Sequence, residues 1–220
     1  TLRALRLLLL MALALPSNRL FGQQQAQATP PSAPNPSNAV LPDWLQFSGE
    51  LRSRLEGVTG GGFKPNSSDL YMLTRVRLGL QLAPASWLKF KAQVQDSHVF
   101  GKNQHPAAPP YQDTFDLRQG YVEIGDTKNM TFGFRVGRQE LAYGDERLVG
   151  NSNWTNVARS FDAFRGTFQR DGVHLDGFAA SVVKIRDPQF NRYVPGANIY
   201  GLYGGLDKLV PKAVVEPYFF

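Results

Sequence analysis

From residue 45 onward, apolar residues alternate with polar or charged residues along the chain. In the first such segment, residues 45–56, Leu51 and Leu55 fall on one parity, whereas Arg52 and Arg54 fall on the other. Successive side chains of a β-strand point to opposite faces. The pattern therefore predicts a strand with one apolar face and one charged face.

The same alternation recurs and predicts about nine strands. Their predicted ranges are 45–56, 70–82, 88–95, 115–124, 131–139, 159–168, 173–184, 198–206 and 212–220. The gaps alternate in length. The short gaps read APASW, GDTKNM, QRDG and DKLVP, and the long gaps contain residues 60–62, 106–110, 143–156 and 188–195. Short turns opposite longer loops, and strands of about ten residues, are typical of outer-membrane barrels. The fold class indicated is all-β, an antiparallel transmembrane β-barrel of the outer-membrane type.

A secreted β-sandwich has the same period of two, because one of its faces is buried and the other is solvated. Aromatic residues on the apolar parity near the short turns favour the barrel, since an interfacial girdle lies at that depth. These residues are Trp44, Trp87, Phe90 and Phe132.

The amino-terminal segment resembles a secretory signal peptide. Arg3 and Arg6 precede the apolar run 7–15, and small residues follow, so we expect a signal peptide over residues 1–28. The run is too short to span a bilayer. Residues 29–42 are rich in Pro, Ser, Asn and Ala, which predicts a flexible linker. The barrel domain is predicted over residues 43–220.

With nine strands, the first and the last would run in the same direction and leave two unpaired edges in hydrocarbon, where open edges are not tolerated. Bacterial single-chain barrels also have an even number of strands. We therefore expect the barrel to be incomplete in this chain, which would supply its amino-terminal part. The chain has no cysteine, which excludes disulfides and thiolate metal sites. The net charge is +6, but Arg3, Arg6 and Arg19 supply three of these charges, so basicity gives no reason to expect a nucleic-acid partner.

Basic side chains share the polar parity of the first three strands. A charge facing lipid at the membrane midplane costs about 2 to 4 kcal/mol, so these side chains are expected to face the lumen together. They are Arg52, Arg54, Arg75, Arg77, Lys89 and Lys91. Rings of Arg and Lys favour anions, and Arg binds carboxylates bidentately. Because Glu50, Glu56 and Glu123 share this lumen, a salt-bridged wall with little selectivity, as in a general porin, remains the alternative.

Several motifs resemble the alginate export family of outer-membrane β-barrels. They are RSRLE (52–56), RVRLGL (75–80), QDS (95–97), DLRQGYVE (116–123), GRQELAYGDERLVG (137–150) and WTNVARSFD (154–162). The resemblance implies a monomeric barrel with an arginine-rich lumen that exports a polyuronate. Carried over by position, it implies pore-lining roles for Arg52, Arg54, Glu56, Arg75, Arg77, Gln119, Glu123, Arg135 and Arg138.

The stretch 137–162 alternates in charge and is also rich in aromatic residues. We expect a long outer loop that folds inward and constricts the pore; the alternative is a loop held at the rim by its own salt bridges. The constriction residues expected are Glu140, Asp145, Arg147, Trp154, Arg159 and Asp162.

Enzymatic and metal sites are not expected. Asp96, Ser97 and His98 are consecutive strand residues, so the hydroxyl and imidazole point apart and cannot share a proton. The histidines lack metal-ligand spacing, and no cofactor is expected. The predicted function is a Gram-negative outer-membrane channel with an anion-favouring lumen for acidic polysaccharide, its oligomers or small anions. A weakly selective diffusion porin and a secreted sandwich that binds acidic glycans are the alternatives. Outer-membrane lipid would surround the barrel; any periplasmic secretion partner is left unidentified.

Overall fold

The computed structural model describes residues 36–63, 65, 67–103, 110–125, 131–210 and 213–220. The predicted signal peptide and the first part of the linker lie outside the described residues. The end of the linker departs from the expectation, because Pro36–Val40 forms a 3-10 helix. The Asn38 side chain closes this helix onto the sheet, donating to the Phe47 carbonyl at 3.0 Å and accepting from its N–H at 2.9 Å.

The described residues form ten β-strands. They are β1 Leu45–Val58, β2 Asp69–Ala85, β3 Leu88–Phe100, β4 Asp113–Ile124, β5 Phe132–Gln139, β6 Phe161–Arg170, β7 Val173–Arg186, β8 Gln189–Val210, β9 Ala213–Val215 and β10 Tyr218–Phe219. Consecutive strands from β1 to β8 pair antiparallel in one open sheet, and both β9 and β10 pair with β8. A second 3-10 helix spans Gly61–Phe63. Within the described ranges, no helix is long and apolar enough to cross a bilayer. The all-β prediction is confirmed.

Eight of the nine predicted strands correspond one to one with β1–β8. The ninth is divided into β9 and β10 at Glu216 and Pro217, because proline lacks the N–H that a continuous ladder needs. The predicted long loop 188–195 is wrong. Residues Asp187 and Pro188 form a short turn, and β8 starts directly after it at Gln189. The two prolines that bound this segment suggested a loop, but its residues pair with β7 instead.

The short turns fit the geometry of strand hairpins. Between β6 and β7, Asp171 and Gly172 have φ values of 52° and 84°. Positive φ at both central positions characterises the type I′ turn, whose twist matches that of the paired strands. The end of the sheet that carries this turn is called the short-turn end below, and the opposite end is called the long-loop end.

The two faces of the sheet differ sharply in exposure. On the outer face, large apolar side chains are open to the surroundings; Leu51 is 79% exposed, Leu78 60% and Phe164 61%. On the inner face, Arg75 and Arg77 are only 2% and 5% exposed. A sandwich would cover its apolar face with a second sheet, whereas the described strands form a single sheet with that face open. This arrangement is the one expected of an outer-membrane barrel wall.

The loop between β5 and β6 covers the inner face. Its first half packs Leu141, Tyr143 and Val149 into an apolar cluster with side chains of β6, β7 and β8. The strand residues of this cluster are Phe161, Ala163, Phe178, Ala180 and Tyr203. Tyr143 stacks on Phe178 with ring centroids 5.1 Å apart. The apolar core thus lies between the loop and the inner face of the sheet.

Candidate functional site: a basic wall beneath an inward loop

The six basic residues predicted to share a face do so. Arg52 lies directly opposite Arg75 in the β1–β2 register, and Lys91 lies opposite Gln81 in the β2–β3 register. Directly opposed residues project to the same face of a sheet. Val76, in contrast, is exposed on the outer face between the buried side chains of Arg75 and Arg77. This part of the prediction is confirmed.

Glu50 lies at the centre of the basic residues. Its carboxylate accepts hydrogen bonds from Arg75, with Nε at 2.9 Å, and forms an ion pair with Arg77 Nη1 at 3.4 Å. Arg77 also donates from Nε to the Gln95 side chain at 2.6 Å. On the neighbouring part of β1, Glu56 pairs with Arg54 at 2.6 Å. The six basic residues, Arg52, Arg54, Arg75, Arg77, Lys89 and Lys91, are called the basic wall below. The charge of this wall is partly neutralised by neighbouring carboxylates.

The second half of the β5–β6 loop lies on these arginines. Arg52 donates from Nη1 to the Asn153 carbonyl at 3.1 Å and from Nη2 to the Thr155 carbonyl at 2.8 Å. Arg54 donates to the Trp154 carbonyl at 2.7 Å, and its guanidinium carbon lies 4.3 Å from the centre of the indole ring. The loop thus presents neutral carbonyl oxygens to cations that would bind carboxylates more strongly.

Asn156 anchors this half of the loop to three separate elements. Its Nδ2 lies 3.0 Å from the Thr74 carbonyl, 3.0 Å from the His98 carbonyl and 2.8 Å from the Tyr111 carbonyl. The Asn156 carbonyl accepts from Ser97 Oγ at 3.3 Å. Because Asn156 is 2% exposed, these bonds are shielded from water. The loop position is therefore fixed by a buried polar anchor.

Arg118 also belongs to the inner face, although strict alternation would place it on the outer one. A register shift between Gln93 and Val94 skips Arg118 in the pairing of β3 with β4, as a β-bulge does. Arg118 is consequently buried, and its Nη1 donates to the carbonyls of Ala158 and Arg159. Its Nη2 lies 2.7 Å from Glu140. Sequence reasoning missed this residue; the adjacent Arg-Gln pair, two polar residues in succession, is the signal for the bulge.

A second group of charges follows one register row toward the short-turn end. Lys89 lies opposite Glu123, Glu123 opposite Arg135, and Arg135 opposite Arg165. Glu123 forms ion pairs with Lys89 at 3.4 Å and with Arg135. Gln119, nearer the long-loop end, donates to the Gln93 side chain at 3.0 Å. Lys89, Gln119, Glu123 and Arg135 thus share the inner face.

Arg138 and Asp162 do not join this group. They lie opposite each other in the β5–β6 register, two residues along each strand from Val136 and Phe164, and therefore on the same outer face. The Arg138 Nε lies 2.8 Å from Asp162, and its Nη2 donates to the Asn191 carbonyl at 3.1 Å. The register therefore places this pair near the long-loop end, away from the inner row. Asp162 is also not a loop residue as expected, because it lies within β6.

The remaining loop residues occupy different surroundings. Glu140 contacts Arg118, whereas Arg159 is exposed and its N–H donates to the Asn151 carbonyl at 2.6 Å. Asp145 and Arg147 pair at 3.5 Å with side chains that are 74% and 84% exposed. The loop's own salt bridge thus lies in solvent, and the contacts to the inner face come from wall arginines. Burial raises the pKa of the Tyr143 hydroxyl in the same loop.

The β7–β8 hairpin contacts β4 at the long-loop end of the sheet. Asn191 donates from Nδ2 to Asp113 at 2.7 Å and from its N–H to Asp116 at 2.5 Å. Asp187 accepts from the Thr114 N–H at 2.9 Å and from Gln112 at 3.0 Å. Burial raises the pKa of Asp187, but these hydrogen bonds lower it more, so the net shift is downward. The hairpin is tied to β4 by carboxylates.

The triad residue types in β3 diverge as expected. Ser97 is buried on the inner face against Asn156, whereas the His98 Nε2 lies 2.9 Å from Asp96 on the outer face. A proton cannot pass between Ser97 and His98 in this arrangement. Within the described ranges, no three His, Cys, Asp or Glu side chains are grouped to hold a metal ion.

Comparison with known protein families gives a match over most of the chain. A family model described as alginate export matches residues 43–220, a range that contains all ten strands and the β5–β6 loop. No curated protein matches the sequence. The resemblance inferred from the motifs is therefore confirmed across the whole sheet.

Proposed function

Because this chain belongs to the alginate export family, we propose that it forms an anion-favouring outer-membrane channel that passes acidic polysaccharide or its oligomers. Family membership supports the outer-membrane location and a role in polysaccharide export. The preference for anions is inferred from the residues of the inner face.

The observation that carries the proposal is the contrast between the two faces of one sheet. Exposed apolar side chains on the outer face suit contact with lipid, and a basic inner face suits a polar pathway. In the cluster beneath the loop, five guanidiniums face three carboxylates. The guanidiniums are those of Arg52, Arg54, Arg75, Arg77 and Arg118, and the carboxylates are those of Glu50, Glu56 and Glu140. The excess positive charge lowers the barrier for anions.

The inward loop would narrow this pathway. Its carbonyl oxygens occupy the guanidiniums of Arg52 and Arg54, so a passing uronate would compete with Asn153, Trp154 and Thr155 for the same donors. Charge-assisted hydrogen bonds to a carboxylate are roughly twice as strong as neutral ones. The wall would thus exchange loop contacts for substrate contacts, with Glu140 and Trp154 at the narrowed section.

One observation favours the second candidate, a weakly selective porin. Glu50 neutralises part of the charge on Arg75 and Arg77, and Glu123 does the same for Lys89 and Arg135. If these pairs cancelled the field of the wall, small solutes of either sign would pass. The two candidates differ in their response to a charged oligomer.

We expect oligouronates to interrupt the ion current through the full-length protein in planar bilayers, whereas neutral oligosaccharides of equal length leave it unchanged at the same concentration. The charged oligomer binds the guanidiniums while it passes. Event frequency and residence time provide the measurement. Equal interruption by both oligomers would favour the weakly selective porin.

A further inference from the structure

A cavity of about 150 Å³ opens on the inner face near the short-turn end. Its charged and polar lining residues are Glu123, Arg135, Arg165, Thr167, Gln169 and His174. It is separate from the arginines that the loop covers, which belong to β1, β2 and the bulge of β4. Arg165 was not among the residues that the sequence singled out.

The register brings two positive charges together at this cavity. Arg135 of β5 and Arg165 of β6 are directly opposed, with side chains 27% and 23% exposed. Like charges directly opposite each other destabilise a sheet unless something compensates them. Each guanidinium has one carboxylate, Glu123 for Arg135 and Asp176 for Arg165, the latter at 2.7 Å.

Both acids are committed to other groups as well. Glu123 also pairs with Lys89, and Asp176 is fully buried, accepting from Thr167 Oγ1 at 2.7 Å and lying 3.0 Å from His174 Nε2. Glu123 is thus shared between Arg135 and Lys89, and Asp176 between Arg165, Thr167 and His174. Neither acid is reserved for its guanidinium.

The two guanidiniums also lie over aromatic rings. The Arg135 guanidinium carbon lies 4.4 Å from the ring centre of Tyr121, and that of Arg165 lies 5.8 Å from the ring centre of Tyr143. Stacking on an aromatic ring pre-organises the planar fork of donors that recognises carboxylates. The Arg165 Nε is buried and, among the described contacts, has no hydrogen-bond acceptor.

We propose that this cavity is a binding site for an organic carboxylate, held between the guanidiniums of Arg135 and Arg165. The inference rests on the proposed function and deepens it, since it assigns a discrete uronate position at the short-turn end of the pathway. The same chemistry would accept a free small carboxylate. The test therefore uses probes that distinguish a sugar acid from other small carboxylates.

The test uses the full-length protein in planar bilayers, with D-glucuronate, acetate or glucose added on the side of the short turns. D-glucuronate should reduce the current, and Arg165→Gln should weaken this block about 10-fold or more, because one charged fork is lost. Arg165→Lys, which keeps the charge without the fork, should weaken it less. Arg170→Gln is the matched control, since that side chain is 70% exposed and pairs with Asp171 in the turn.

Block by D-glucuronate and not by acetate identifies a sugar acid, and block by both identifies any small carboxylate; either result supports the site. Absence of block in the unmodified protein, or equal effects of Arg165→Gln and Arg170→Gln, would overturn it. If Arg165→Gln does not fold, the comparison of Arg165→Lys with Arg170→Gln decides. Interruption by oligouronates that survives in Arg165→Gln would leave the proposed function standing without this site.

Discussion

Arg118 illustrates how a single residue joins the two parts of the inner face. Its guanidinium is 2% exposed and bridges the end of the β5–β6 loop, through the carbonyls of Ala158 and Arg159, to Glu140 at the loop's start. It also donates to Ser160 Oγ at 2.9 Å. One side chain therefore connects the two ends of the loop.

Replacing Arg118 with Met should destabilise the folded protein by about 3 kcal/mol, because Glu140 and two carbonyls lose their buried partner. Arg118→Lys should lose less, since it keeps the charge. Guanidinium-induced unfolding in detergent, followed by tryptophan fluorescence, measures the difference. The control is Arg147→Met in the exposed part of the loop. A loss for Arg118→Met within about 0.5 kcal/mol of that control would show that the bridge is not stabilising.

Residue-level prediction from the sequence succeeded where alternation was regular. Arg52, Arg75 and Lys89 lie on the face that parity gave them, because β1 pairs with β2 without interruption and the first part of β3 pairs with β4 without interruption. Arg118 was missed because a bulge changes the phase of alternation by one residue, and a single sequence marks a bulge only weakly. A pore-lining role for Arg138 was inferred from the family resemblance, whereas the register places this residue on the outer face.

Among the elements, the β5–β6 loop has two halves that are held in place by different interactions. The half containing Leu141, Tyr143 and Val149 is held by apolar burial against β6, β7 and β8. The half containing Asn153 and Asn156 is held by hydrogen bonds from arginines and to backbone carbonyls. The apolar half can therefore remain docked while the polar half exchanges its partners.

Asn156→Ala should release the polar half of the loop. The change removes a buried donor shared by three carbonyls, which costs about 1 to 3 kcal/mol and increases the released fraction about 5-fold or more. We expect a higher single-channel conductance and greater current noise than in the unmodified protein. Arg147→Ala, in the solvent-exposed part of the same loop, is the control. Conductance equal to that of the control would contradict a narrowing role for this half.

The elements themselves were largely predictable, because a period of two and turn residues such as Asp171 and Gly172 are local signals. The β7–β8 hairpin was not. Its position depends on hydrogen bonds to β4. Asn191 donates to Asp113 and Asp116, and Asp187 accepts from the Thr114 N–H. Such contacts join residues more than seventy positions apart, and no local pattern encodes them.

At the scale of the molecule, the sheet separates two environments. The open apolar face carries side chains such as Leu51 and Phe134, 79% and 60% exposed, whereas the opposite face concentrates guanidiniums under a loop. A wall of this kind gives anion preference only if its carboxylates leave a net positive field. Glu50, which contacts both Arg75 and Arg77, is the main opposing charge.

The most direct test is the reversal potential of the full-length channel in a salt gradient. Arg75→Gln/Arg77→Gln removes two charges from the wall, and Arg147→Gln/Arg170→Gln removes two from exposed positions at the two ends. The first variant should shift the reversal potential toward cations at low salt, and the second should leave it near that of the unmodified protein. The shift should shrink at high salt, because the screening length falls from about 10 Å at 0.1 M to about 3 Å at 1 M. An unchanged reversal potential for Arg75→Gln/Arg77→Gln at 0.1 M would contradict the electrostatic wall and favour the weakly selective porin.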